Sequence, residues 1–263
     1  MKIKVLYIVL LLVVFGGVPA VAAASGDLEI YRAEFREYRS SRTAYELAKE
    51  KYEKLGTLAA RDEALQATKQ FLTTGLEVLK SYSQMLRTLT IEHAAVDTSS
   101  RALITKLLSN DLEQYSNYQN TIESGSTLPR LETTSERIDI LYTQKEANAR
   151  LANAVLVMGD LRKLQQATAT VAAQVKVTVE DTPDYPGRDR ILGDWYRKIT
   201  NKLEASTRIL EASVNTLGGF EQEEDSDDKT MLVEKSLESL ESCKQLNAEV
   251  INHLLEIVRA KKY

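Results

Sequence analysis

The sequence predicts an all-α protein, an elongated antiparallel helical bundle or set of coiled-coil-like hairpins of about six long helices. Three observations carry that expectation. Only four prolines, Pro19, Pro129, Pro183 and Pro186, interrupt 263 residues. The stretches between them are rich in Leu, Ala, Glu, Lys, Gln and Arg, which lose little on entering a helix. Apolar residues recur three and four apart, the period of a helix face rather than the two of a strand.

Before the helices comes a segment of different character. Lys2 and Lys4 precede an uncharged run, Val5 to Val18, and then Pro19-Ala20-Val21-Ala22-Ala23-Ala24 with small residues spaced A-x-A. That order is the pattern of a secretory signal peptide. The expectation is export to the cell exterior, the periplasm or the cell envelope. Val5 to Ala24 is also long enough to cross a hydrocarbon core of about 30 Å, so an uncleaved N-terminal anchor is the alternative. Removing residues 1–24 lowers 34 Lys and Arg to 32 against 38 Asp and Glu, a net charge of −6. This balance argues against nucleic-acid binding, which needs clustered cations, and against adhesion to an anionic membrane. Membrane contact is expected only through residues 1–24. The basic cluster Arg259-Ala260-Lys261-Lys262 suits the negative end of a helix dipole.

The first helix is expected over about Asp27 to Leu55. Its tyrosines, Tyr31, Tyr38, Tyr45 and Tyr52, fall seven apart. Leu28, Phe35, Arg42 and Lys49 each lie three residues earlier, completing a coiled-coil seam. The far half of the seam is polar, with Arg42 and Lys49 expected over tyrosine rings. Gly56-Thr57 reads as a helix stop and a new cap, hence a hairpin turn.

The second helix, about Leu58 to Glu92, repeats Leu58, Leu65, Leu72, Leu79 and Leu86 every seven residues. Ala64, Phe71, Val78 and Met85 widen that stripe, as in a helix packed by several neighbours. No basic region precedes the leucines, so a DNA-binding zipper is excluded. Asp97 or Thr98 should cap the third helix, which ends in the loop Ser124–Pro129. The fourth is expected from Leu131 or Thr134 to about Thr178, with its centre, Leu151 to Gly159, buried. Val175–Val179 alternates like a strand, but no second strand is evident, so a helix end is preferred.

After the loop Asp181–Gly187, a fifth helix is expected over about Asp189 to Leu217 and a sixth over about Lys229 to Lys261. Between them Glu221 to Asp228 holds six acids in eight residues. The organisation is therefore a signal peptide or anchor over 1–24, a bundle of about five helices over 25–217, an acidic linker over 218–228, and a C-terminal helix packing on the bundle over 229–263.

Chemistry is sparsely represented. His93 and His253 stand near helix ends without partners at metal-ligand spacing, and are expected to be solvated or to complement a dipole. The acidic Asp225-Ser226-Asp227-Asp228 has Thr230 and Ser236 where a calcium loop needs Gly and Glu. Cys243 is alone, so it forms no internal disulfide; it is read as a small buried hydrophobe, with intermolecular pairing as the alternative. No phosphate loop, nucleophile elbow or CxxC occurs. Neither an enzyme nor a cofactor is expected.

The candidate interaction surface is Tyr31, Tyr38, Arg42, Tyr45, Lys49 and Tyr52, since amphipathic aromatics beside cations suit a partner helix, peptide or glycan. The competing reading packs this ladder on the second helix across the hairpin. In general character the chain resembles secreted, coiled-coil-rich bacterial proteins, a likeness that carries no activity. The expected function is that of a structural or protein-interaction protein acting through helical faces on itself or another protein. The alternative is a carrier with an apolar ligand held between helices near Tyr115, Met158 and Trp195.

Overall fold

The computed structural model describes residues 25–181 and 187–260. The expectations of a leader segment, of the proline loop and of a basic C-terminal cluster fall outside the described residues or on side chains beyond them. The fold is all-α, six helices with no strand among the described residues. These are α1 (Ser25–Leu55), α2 (Leu58–Glu92), α3 (Thr98–Glu123), α4 (Leu128–Glu180), α5 and α6 (Ser226–Ala260). Helix α5 is continuous but composite: a turn at Arg188–Arg190, a π-helical turn at Ile191–Trp195, and an α-helix over Tyr196–Gly218.

Packing groups these helices into two units. The first comprises residues up to Glu92 with Ser99–Ala152, and the second His93–Thr98 with residues from Asn153 onward. That division falls inside α4, at a point the hydrophobic pattern does not mark.

The first unit is built on the α1–α2 hairpin. Gly56 takes φ 60°, the left-handed conformation that ends α1, and its N–H reaches the Tyr52 carbonyl at 2.9 Å. The Thr57 hydroxyl then accepts the Ala60 N–H at 3.2 Å and caps α2. Tyr31 meets Tyr82, Ser41 meets Thr74 and Lys51 meets Glu63, so numbers rise on one helix as they fall on the other. The pairing is antiparallel. Helices α3 and α4 close this core with Tyr115, Ile122, Leu131, Ile138 and Leu141. On the α2–α3 side, Gln119 donates to Glu77 at 2.7 Å and accepts from Lys80 at 3.1 Å. Leu58 departs from the leucine stripe and is 64% exposed, because it opens α2 at the hairpin tip.

Helix α4 begins at Leu128, three residues ahead of Leu131 and six ahead of Thr134, the two expected starts. Pro129 fits there because a first-turn residue has no helical partner for the N–H that proline lacks. The alternation at Val175–Val179 is absorbed by the helix. Val179 is buried and Val175 packs beside it at i,i+4 spacing, while Val177 points outward.

In the second unit, Ala172 and Val179 of α4, Ile191 and Ile199 of α5, and Val250, Leu254 and Ile257 of α6 share one apolar cluster. Arg188 caps the end of α4, donating to the Val179 and Glu180 carbonyls at 3.3 and 3.2 Å. Phe220 departs from the solvated reading of residues 218–228. Its ring is fully buried, with the Lys229 ammonium 5.5 Å from its centroid. The acids around it are largely exposed, and Asp225 caps α6 through the Asp227 N–H at 2.6 Å.

Candidate functional site

The tyrosine ladder divides by depth. Tyr31, Tyr38 and Tyr45 are buried among residues of the first unit, while Arg42, Lys49 and Tyr52 are half-buried. Phe71 of α2 lies between two rungs, stacked on Tyr45 at 5.0 Å and 11° and on Tyr38 at 5.5 Å and 24°. Tyr31 continues the run to Tyr82 at 5.4 Å. The inner edge of the ladder thus packs on α2 across the hairpin. Arg42 does not lie over a ring as expected; it bonds Glu46 at 2.8 Å, one turn along its own helix. Lys49 faces Glu53 at 3.8 Å.

Two openings run beside this ladder. A cleft of about 230 Å³ is lined by Tyr45, Lys49, Tyr52, Leu72, Leu131 and Glu132, among others. A smaller cavity of about 40 Å³ adjoins it, sharing Leu72 and Ser135, and is walled by Tyr38, Phe71, Asp139 and Tyr142. The smaller cavity's lining is mainly apolar, with Tyr38, Ser135, Asp139 and Tyr142 contributing polar groups. The Tyr38 and Tyr142 hydroxyls and Asp139 Oδ1 are buried without any hydrogen-bond partner. Burial, and secondarily the Glu136 carboxylate, push the Asp139 carboxyl up to about 6. Burial likewise raises both phenols above their ordinary range.

A second buried polar group in this unit is fully satisfied. Asp111, 1% exposed, accepts the Asn148 amide at 3.0 and 3.1 Å and pairs with Lys145 at 3.2 Å. Burial raises its pKa more than Asn148 and Lys145 lower it. These three polar groups tie α3 to α4.

In the second unit, His93 overturns the solvated reading. It is 5% exposed, and its Nε2 lies 2.8 Å from Asp160 Oδ1. The Ala95 N–H is directed at Nδ1 from 3.3 Å, which places the ring proton on Nε2. Sequence placed His93 near a helix end but gave no sign of Asp160, 67 residues away. Asp97 pairs with Arg162 at 3.2 Å, so two side chains of the α2–α3 connection are fastened to α4. His253 is half-buried, 3.6 Å from Glu256. Cys243 is a free, fully buried thiol, 3.1 Å from the Ser206 hydroxyl, and the Asn247 amide donates to that hydroxyl at 2.7 Å.

Of the residues expected around an apolar ligand, Tyr115 belongs to the first unit and Met158 and Trp195 to the second. Met158 is fully buried and Trp195 carries Arg190 over its ring at 5.6 Å. The centre of α4, Leu151 to Gly159, is buried except at Asn153, which is half-buried, and Val157. Val157, Leu164 and Val171, spaced seven apart, are 39%, 36% and 45% exposed. Their spacing puts them on one face. Among the described residues no three His, Cys, Asp or Glu side chains gather where they could hold a metal ion. No described helix is long and apolar enough to cross a membrane. No family model, curated protein or solved structure matches the chain.

Proposed function

We propose that this chain is a non-enzymatic, exported helical protein that works by binding another protein, its own kind or a different one, through a helical face. The observation that carries the reading is the Val157, Leu164 and Val171 stripe on α4. Successive members are about 10.5 Å apart along the axis, a coiled-coil spacing that the described residues leave exposed. Single exposed apolar residues need no explanation, but three in register on one helix face favour a partner. The signal-like residues 1–24 and the net charge of −6 favour a location at the cell envelope or beyond it, in a bacterium. Affinity capture from envelope extract tests the reading, with V157E, L164E and V171E combined as the control. A protein retained by the natural chain and lost by the control supports it. No protein above the control, with a monomer in solution, overturns it.

The second reading, a carrier of small ligands, is favoured by the cleft beside Tyr45 and Tyr52. About 230 Å³ admits a compact molecule, though it is smaller than the pockets that hold drug-sized ones. A thermal-shift screen with small amphiphiles tests it: a reproducible rise in Tm supports carriage, and no shift across the panel removes it.

A further inference from the structure

Helix α4 carries the longest run without a charge beyond residue 24: twelve residues, 164–175, between Lys163 and Lys176, in a chain that is 27% charged. Part of that run is core, since Thr168 and Ala172 are buried. Leu164, Ala167, Val171 and Gln174 are exposed and spaced three and four apart, so they line one seam of coiled-coil type. Its two ends bring no charge to it either. Asp160, the next seam position toward the N-terminus, holds His93 at 2.8 Å. Lys176 is turned over the Tyr196 ring of its own unit, 5.2 Å from the centroid.

The lack of charge narrows the partner. Where helices pair, charges beside the seam select which partner and which orientation. This seam offers a different protein no charge to recognise. A second copy of the chain needs none. Two copies with a net charge of −6 each repel one another, and a neutral face is where that repulsion is least. Residue size then sets the direction. Reversed on itself about residue 169, the row places Val171 of each copy against Ala167 of the other, with Leu164 closed by the stem of Gln174 at each end. A parallel pairing would stack Ala167 on Ala167 between two larger layers and leave a gap there.

We propose that α4 pairs antiparallel with α4 of a second copy over residues 164–174, a two-fold axis passing near residue 169. Such an interface is self-complementary and closes at two copies. Two heptads make a small contact, so the association is expected in the micromolar range. The proposal rests on the helical-face reading and names its partner.

Disulfide trapping on the full chain tests it, with sedimentation velocity at up to about 200 µM as the companion measurement. Cys243 is fully buried and stays silent without urea. An equimolar mixture of Ala167→Cys and Val171→Cys chains, mildly oxidised, should give severalfold more covalent dimer than either chain alone. Leu164→Cys should give little by itself, because the antiparallel register holds its two copies about 15 Å apart along the axis. Ala173→Cys, on the far side of α4, should give none. The natural chain should sediment as a dimer and Val171→Glu, an exposed change that leaves the core intact, as a monomer. A dimer that survives Val171→Glu overturns this interface, and strong trapping of Leu164→Cys alone overturns the antiparallel register. A natural chain that stays monomeric overturns the second copy as partner. The helical-face reading then stands if envelope extract yields a different protein lost by the combined V157E, L164E and V171E control, and falls with it if none is retained.

Discussion

Phe71 of α2 and Tyr45 of α1 stack nearly face to face, ring centroids 5.0 Å apart and planes 11° from parallel. With Tyr38 on its other side, Phe71 stacks on two rungs of the ladder. Phe71→Ala should destabilise the first unit by about 3–5 kcal/mol, the range for removing a buried aromatic ring. Tyr45→Phe, which keeps the stack, should cost under about 1 kcal/mol. Urea unfolding of both variants checks the contrast; equal losses would mean the stack is incidental.

Two mid-helix glycines should respond oppositely to alanine. A Cβ at Gly159 would lie 2.8 Å from His93 Cε1, so the imidazole bonded to Asp160 must move. Gly159→Ala should cost about 1–3 kcal/mol. At Gly75 the nearest atom is the Tyr38 ring at 3.5 Å, ordinary contact, so Gly75→Ala should gain about 0.5–1 kcal/mol from helix propensity. Paired thermal melts read both signs.

Asp139 sets a pH dependence of defined sign. Its folded carboxyl is raised to about 6 from an ordinary value near 3.8, so between these values the folded state holds a proton that the unfolded state has released. Stability from this group is therefore full below pH about 4 and lost as pH rises through about 6. Asp139→Asn should stabilise the chain at pH 7.5 and lose that advantage by pH 4. Partial exposure of the carboxyl makes the difference smaller than full burial would. Chemical denaturation at the two pH values checks it; a constant difference would mean Asp139 is well hydrated.

Asp111 behaves differently because its partners are present. Lys145→Met removes the ion pair and leaves the carboxylate buried on Asn148 alone. The expected loss is about 3 kcal/mol, read by urea titration.

The Cys243 thiol, fully buried and bonded within the Ser206–Asn247 cluster, should resist a thiol reagent in the native state and react fully in urea. Fast native labelling would restore the intermolecular-disulfide reading.

Much of the fold was legible because helical order leaves local marks. Gly56-Thr57 announces both a stop and a cap, and the structure turns there; α2 spans Leu58–Glu92, as the leucine period implies. The five-residue π-helical turn at Ile191–Trp195 left no mark, since one extra backbone residue preserves local composition. His93 was misread because its burial depends on Asp160 and Gly159, which proximity in sequence cannot reveal. The same holds for Asp139, one carboxylate among many until Tyr38 is folded beside it. The ladder's seven-residue spacing was visible. Which edge of it faces inward emerged only with Phe71 in place. Val157, Leu164 and Val171 share that spacing too, yet periodicity alone does not distinguish an outward stripe from a core one.

A photo-crosslinking residue at position 164, compared with one at the neighbouring exposed position 163, tests the proposed helical interface most directly. Irradiation in envelope extract should give a discrete protein adduct, self or other, from 164 and little from 163, about 100° around the helix. No adduct at 164, or the same diffuse labelling at both positions, would contradict a partner seated on the Val157–Leu164–Val171 face.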